Sequence, residues 1–301
     1  MRRTKAGAEA DWVAGLAESL GVLLDAGLTP RSAWTAVAAH RAHPVARAVV
    51  ASLGSQSSCA RAIVEAAATD DLRTIAATWQ VAEASGAPLG HALRSVAETL
   101  RDVAEAERES EVALSGPRAT ARLVSWLPLA GAALALMLGA DLIGTAASTA
   151  GALSLGAGAA LLLGGQWWMR ALVSRALRRG PVPGLAEELI AVALTGGASM
   201  EAAVRAARRA VEAAGLPEPD DGAARALLRL AESAGAPAVE MLIASARQSR
   251  RAARAEARRA AATLGVALML PLGVCVLPSF LLLAVAPLVL ALLSSTVGGL
   301  S

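Results

Sequence analysis

The sequence predicts an all-α integral membrane protein with two tandem cytoplasmic helical bundles and about three transmembrane helices. Composition is the first ground: 301 residues with 55% hydrophobic content, 2% aromatics and a mean hydropathy of +0.51 exceed what an ordinary soluble domain carries. The second is that Leu123 to Ile143, about Ala150 to Met169, and Thr263 to Leu293 each reach the roughly 20 apolar residues that cross a hydrocarbon core. The third is that the remaining apolar residues recur at helical spacing between stop and start signals, and that these signals are written twice.

The predicted organisation is a first bundle over 1–117, spans at 118–145 and 149–173, a shortened second bundle over 180–261 and a last span at 262–295. In the first bundle Trp12, Leu16, Leu20, Leu23 and Leu24 share one helical face, and Gly27 closes that helix. Thr29-Pro30 is an N-cap and first-turn pair opening the next. Further starts fall at Pro44, near Ser58, at Asp70 and after Pro88, with stops at Gly54 and Gly86, which makes about six helices.

"ASGAPLGHAL" at 84–93 returns as "SAGAPAVEML" at 233–242, and "LAESL" at 16–20 returns as "LAEEL" at 185–189. The interval from Gly27 to Gly86 is 59 residues and that from Gly196 to Gly235 is 39, so the second copy lacks about one helix pair near "LPEPDDG" at 216–222.

Orientation follows from the arginines, since basic residues at span ends stay on the cytoplasmic side. Arg118 and Arg122 precede the first span, Arg170, Arg175, Arg178 and Arg179 follow the second, and Arg247 through Arg259 lead into the third, whereas 144–149 and the tail after Leu293 carry no charge. The bundles are expected in the cytoplasm, and the short loop and C-terminus outside. Met1-Arg2-Arg3 leads into polar sequence, so no cleavable signal is expected. Pro271, Pro278 and Pro287 are expected to kink the last span or fold it back as a hairpin.

Signals for chemistry are weak. The single lysine, Lys5, falls outside any Gly-rich phosphate loop, so a P-loop ATPase is not expected. His40, His43 and His91 lack metal-ligand spacing with Cys59, Cys275 or the carboxylates, so neither metal nor cofactor is expected. Both cysteines read as small packing residues. Asp70-Asp71 and Asp220-Asp221 read as caps, Asp141 as an interfacial acid, and Trp167-Trp168 as an interfacial anchor.

The stretches "LAESLGVLLDAGLTPRSAWTAV" (16–37) and "VAEASGAPLGHALRSVAETL" (81–100), followed by a span, resemble the type II secretion system F family of inner-membrane platform proteins. The alanine-rich character and the ending "LPLGVCVLPSFLLLAVAPLVL" (270–290) resemble the tight-adherence (Flp) pilus branch. The resemblance implies a non-enzymatic component of a pilus or type II-like secretion apparatus in the bacterial plasma (inner) membrane. Its implied partners are a cytosolic secretion ATPase, other platform subunits in a homo- or hetero-oligomer, pilin and membrane lipid, with no nucleic acid. The alternative is a permease subunit of an ATPase-driven transporter.

When Gly86 is laid on Gly235, Glu98, Asp102, Glu105 and Glu109 coincide with Arg247, Arg251, Arg254 and Arg258. Spacings of four, three and four place each set on one helix stripe, and the stripes are opposite in sign. The expectation is that they form an interdomain or partner contact, with attraction of the basic stripe to anionic lipid as the other reading.

Overall fold

The computed structural model describes residues 4–40, 44–53, 58–137, 149–176, 182–286 and 289, and every regular element among them is helical. Gly54, His43, Asp141, Arg178, Arg179, Pro287, the 144–148 loop and the C-terminal tail lie outside the described residues. The chain forms two compact units, Met1–Arg108 with Gly180–Ala255, and Glu109–Arg179 with Glu256–Ser301.

The first unit begins with α1 (Thr4–Asp25), α2 (Pro30–His40), α3 (Pro44–Leu53), α4 (Cys59–Ala66), α5 (Asp70–Ser85) and the start of α6 (Leu89–Met137). Helix α1 reaches back to Thr4 and takes in Lys5. The punctuation is local chemistry. Gly27 takes φ +87°, Ser58 caps α4 by accepting from the Arg61 N–H, and Thr29 accepts from the Ser32 N–H. Leu16, Leu20, Trp34, Ile63, Leu72, Ile75, Trp79, Leu93 and Leu100 are fully buried in one core. Trp12, Leu23 and Leu24 flank it, partly buried. The Trp34 and Trp79 rings sit 6.3 Å apart and tilted, within the range of favourable aromatic contact.

Helices α1 and α6 are joined by a ladder. Asp25 pairs with Arg94 at 2.6 Å, Glu18 with Arg101, and Asp11 with Arg108. The partners step by seven residues in opposite directions, so the helices are antiparallel with one ion pair every two turns. The backbones nearly touch beside the ladder: a Cβ on Gly90 would lie 2.7 Å from the Gly21 carbonyl.

The second copy comprises α8 (Leu185–Thr195), α9 (Met200–Ala213), α10 (Gly222–Ala234) and the start of α11 (Ala238–Ala267). Its core of Leu185, Leu189, Ile190, Val211, Leu228 and Leu242 is completed by Ala77, Val81, Ala82 and Ala92 from the first copy. Helix α5 therefore serves two cores. Leu72, Ile75, Ala76 and Trp79 face the first, while Ala77, Val81 and Ala82 face the second. Burial on both faces leaves Thr74 and Thr78 no water, and each hydroxyl donates to the carbonyl four residues back, Asp70 and Thr74 respectively. The two copies are thus parts of one compact unit rather than two separate bundles, because the shortened copy cannot enclose a core alone.

The second unit contains α6 from Glu109 onward, α7 (Thr149–Ala176), the end of α11 and the run to Val285. Helix α6 continues without interruption past the expected bundle-to-span boundary at 117–118. Among the described residues, one helical run is long and apolar enough to cross a membrane, Ala238–Leu283. Its 46 residues would extend about 69 Å at the α-helical rise. The first expected span runs into undescribed residues. The second is α7, whose apolar character is diluted by five glycines, Ser154 and Gln166. In the last segment π-helical turns fall at Leu272–Val276, between Pro271 and Pro278, and at Leu281–Val285. The glycines of α7 fit this segment closely. A Cβ on Gly158 would meet Leu283 at 2.7 Å and one on Gly165 would meet Cys275 at 2.8 Å, while Ser154 donates to the Leu282 carbonyl at 2.8 Å.

Candidate functional site at the junction of the two copies

The first copy supplies α6 and the second supplies α8 and α11, whose polar side chains converge within the first unit. Glu188 is buried at 4% exposure, next to the equally buried Glu187, on a helix whose remaining residues are apolar except its last, Thr195. A carboxylate there requires partners, and it has them. One oxygen accepts from Ser95 at 2.6 Å; the other accepts from Thr99 at 2.7 Å and lies 3.2 Å from Arg250, itself only 10% exposed. Burial raises the Glu188 pKa, opposed in decreasing order by the Ser95 hydrogen bond, Arg250 and Thr99, and reinforced by Glu98. Arg250 also approaches Asp102 at 3.5 Å, a distance that gives an ion pair but no hydrogen bond from its buried Nε. A small cleft lined by His91, Ser95, Glu188 and Thr195, among others, opens beside this network.

The charged stripes lie farther along the same helices. Arg254 donates to the Asp102 carboxylate and carbonyl, each at 3.0 Å, and to Glu105 at 3.2 Å. In the second unit Arg258 grips Glu109 through two hydrogen bonds of 2.9 and 2.8 Å. Glu98, Arg247 and Arg251 are exposed and make no ion pair among the described residues. Asp102 is engaged by Arg250 and Arg254 in place of its aligned partner Arg251.

Sequence reasoning missed Ser95, Thr99, Glu188 and Arg250, although a signal existed. In the repeat, Glu188 stands where the first copy has Ser19, inside an apolar helix, and Arg250 stands where it has Arg101, which pairs with Glu18.

The other singled-out residues are placed without converging. His40 and His91 are exposed on α2 and α6, and among the described residues no three His, Cys, Asp or Glu side chains gather as a metal site. Cys59 and Cys275 are free thiols; burial, then Glu83, pushes the Cys59 thiol up to about 11. Asp220 accepts from the Gly222 N–H, and Asp221 binds Arg208 at 2.8 Å and Arg225 at 3.2 Å; the Arg208 hydrogen bond lowers its pKa. Asp70 pairs with Arg73 at 3.3 Å, and Trp167 and Trp168 are exposed on α7.

A chain with an internal repeat whose described residues are helical, with one run among them able to cross a membrane, is the class defined by this architecture. More particularly, residues 16–137 match the family model described as Type II secretion system (T2SS), protein F. The match takes in most of the first copy and α6 to its end, and it supports kinship with that family over this part of the chain. No curated protein and no solved structure matches the chain.

Proposed function

We propose that the chain is a non-enzymatic, multi-pass inner-membrane platform component of a pilus or type II-like secretion apparatus, with its helical unit in the cytoplasm. In this reading it couples a cytosolic secretion ATPase to pilin assembly, and the tight-adherence pilus branch is its closest setting. The observation carrying the reading is the match over 16–137, whose last helix runs unbroken from core residues Leu93 and Leu100 into a segment with exposed Trp126, Leu134 and Met137. Of the large apolar side chains exposed among the described residues, all but Val22 and Leu230 belong to the second unit, as burial in lipid would require. A platform needs no reacting groups, and both oxygens of the buried carboxylate are occupied by structural partners.

The second copy's core is completed by Ala77, Val81, Ala82 and Ala92 of the first, so removing residues 1–115 would dismantle the second as well. The test therefore deletes the whole gene and complements it with the full chain. Surface-assembled pilin should disappear and return, and the neighbouring secretion ATPase should co-purify with the tagged chain, which alone hydrolyses no ATP. Unchanged pilin assembly in the deletion strain would sink the proposal.

A further inference from the structure

The two turns that open α6 and α11 are the same turn in three dimensions. Gly86 and Gly235 are both left-handed, at φ +75° and +63°, and their N–H groups donate to Ala82 and Ala231. The next N–H, from Ala87 or Ala236, returns to that same carbonyl. This fixes a register of 149 positions between the helices, and the register reappears across space: Glu105 meets Arg254 and Glu109 meets Arg258, each pair 149 apart. Residue numbers rise together along both partners, so α6 and α11 run parallel, with counterpart facing counterpart at two successive positions. That is the contact pattern of an isologous pair, in which one surface meets its own copy about a two-fold axis.

In such a pair identical helices would set glutamate against glutamate, or arginine against arginine. The chain instead has acids in one copy and arginines in the other. We propose that this seam is a selectivity surface: the acidic helix of copy 1 takes the basic helix of copy 2 of the same chain as its partner, and the sign inversion rejects pairing of like copies from neighbouring chains. Individual exposed ion pairs are weak, but like charges in an isologous contact repel at every repeated position, so the discrimination accumulates. The inference does not depend on the secretion reading, since it rests on register and charge alone.

The test uses the detergent-solubilised full chain and leaves Glu188, Arg250 and Asp102 untouched. Variant X carries Arg254→Glu and Arg258→Glu, so both its helices present acids at these two seam positions; variant Y carries Glu105→Arg and Glu109→Arg, so both present arginines there. Each should unfold several degrees below the native chain, and the four-fold variant combining X and Y should recover most of that loss. Glu105→Gln with Glu109→Gln, which removes attraction without adding repulsion, should fall between native and Y. Differently tagged and co-expressed, X and Y offer each other the complement that neither offers itself, so X–Y co-purification should exceed X–X and Y–Y at least tenfold. Equal recovery of X–X and X–Y, a four-fold variant no more stable than X or Y, or a glutamine variant as unstable as Y would each overturn the proposal.

Discussion

The first copy encloses its own core and the second does not, and the difference lies in what each has to bury. Copy 1 contributes Trp34 and Trp79 to a cluster spanning α1 to α6, whereas residues 180–262 contain no aromatic residue at all. Aromatic side chains bring the largest apolar area per residue, so a copy built on Ala, Leu and Val with fewer helices cannot reach the same enclosure alone. It completes its core on Ala77, Val81 and Ala82 of α5. A shortened duplicate therefore persists by leaning on its parent, and the cohesion of the unit concentrates at α5 and at the Glu188 junction.

This asymmetry can be broken at graded cost. Trp79→Ala should have the largest effect, a loss of about 4 kcal/mol, because it hollows the first core on the helix that also supports the second. Both copies should then lose hydrogen-exchange protection together; protection lost from residues 11–108 alone would show that α5 does not couple the two cores. Glu188→Ala should cost about 3 kcal/mol, since it leaves Arg250 without its buried carboxylate and removes the acceptor of Ser95 and Thr99. Gly196→Ala should cost about 2 kcal/mol, because its Cβ would lie 2.5 Å from the Ser85 carbonyl oxygen where the copies abut. Arg101→Ala, which removes an exposed rung of the α1–α6 ladder, should cost no more than about 0.5 kcal/mol. Denaturant titration of the solubilised chain ranks all four.

Acidity sharpens the comparison further. The folded pKa of Glu188 lies above its ordinary value of 4.5, so this group's contribution to stability is fully present below that value and is lost as pH rises through the folded pKa. Relative to Glu188→Gln, the native chain should therefore grow less stable as pH rises through and above the carboxylate range. The difference in melting temperature between the two, followed against pH, checks the sign; a flat difference would mean that burial does not raise the Glu188 pKa on folding.

Much of the helical plan was legible in the sequence because it rests on local chemistry. Starts at Pro44, Ser58 and Asp70 and left-handed stops at Gly27 and Gly86 follow from backbone rules acting over a few residues. The repeated Gly-Ala-Pro turn was readable for the same reason, and it also supplied the register in which Glu105 and Glu109 align with Arg254 and Arg258. The sharing of α5 was not readable, since its apolar residues encircle the helix and periodicity says nothing about which neighbour covers which face. The Glu188 network was hidden because its members come from three helices and sit 62 to 93 positions apart. The π-turns were not readable, since proline reports a lost donor and not a widened turn.

The close fit of α7 against the last segment separates the two units by what holds them together. Gly158 and Gly165 stand seven residues apart, one helical face repeating every two turns, and each admits a neighbouring side chain to distances no Cβ would tolerate. Contact of that kind is held by shape and dispersion, which do not depend on expelling water and so survive where the surroundings are themselves hydrocarbon. The first unit coheres instead around the large apolar area of its buried core, Trp34 and Trp79 included. Urea should therefore loosen the first unit, whose core buries Trp34 and Trp79, before it loosens the glycine-notched fit of α7 against the last segment.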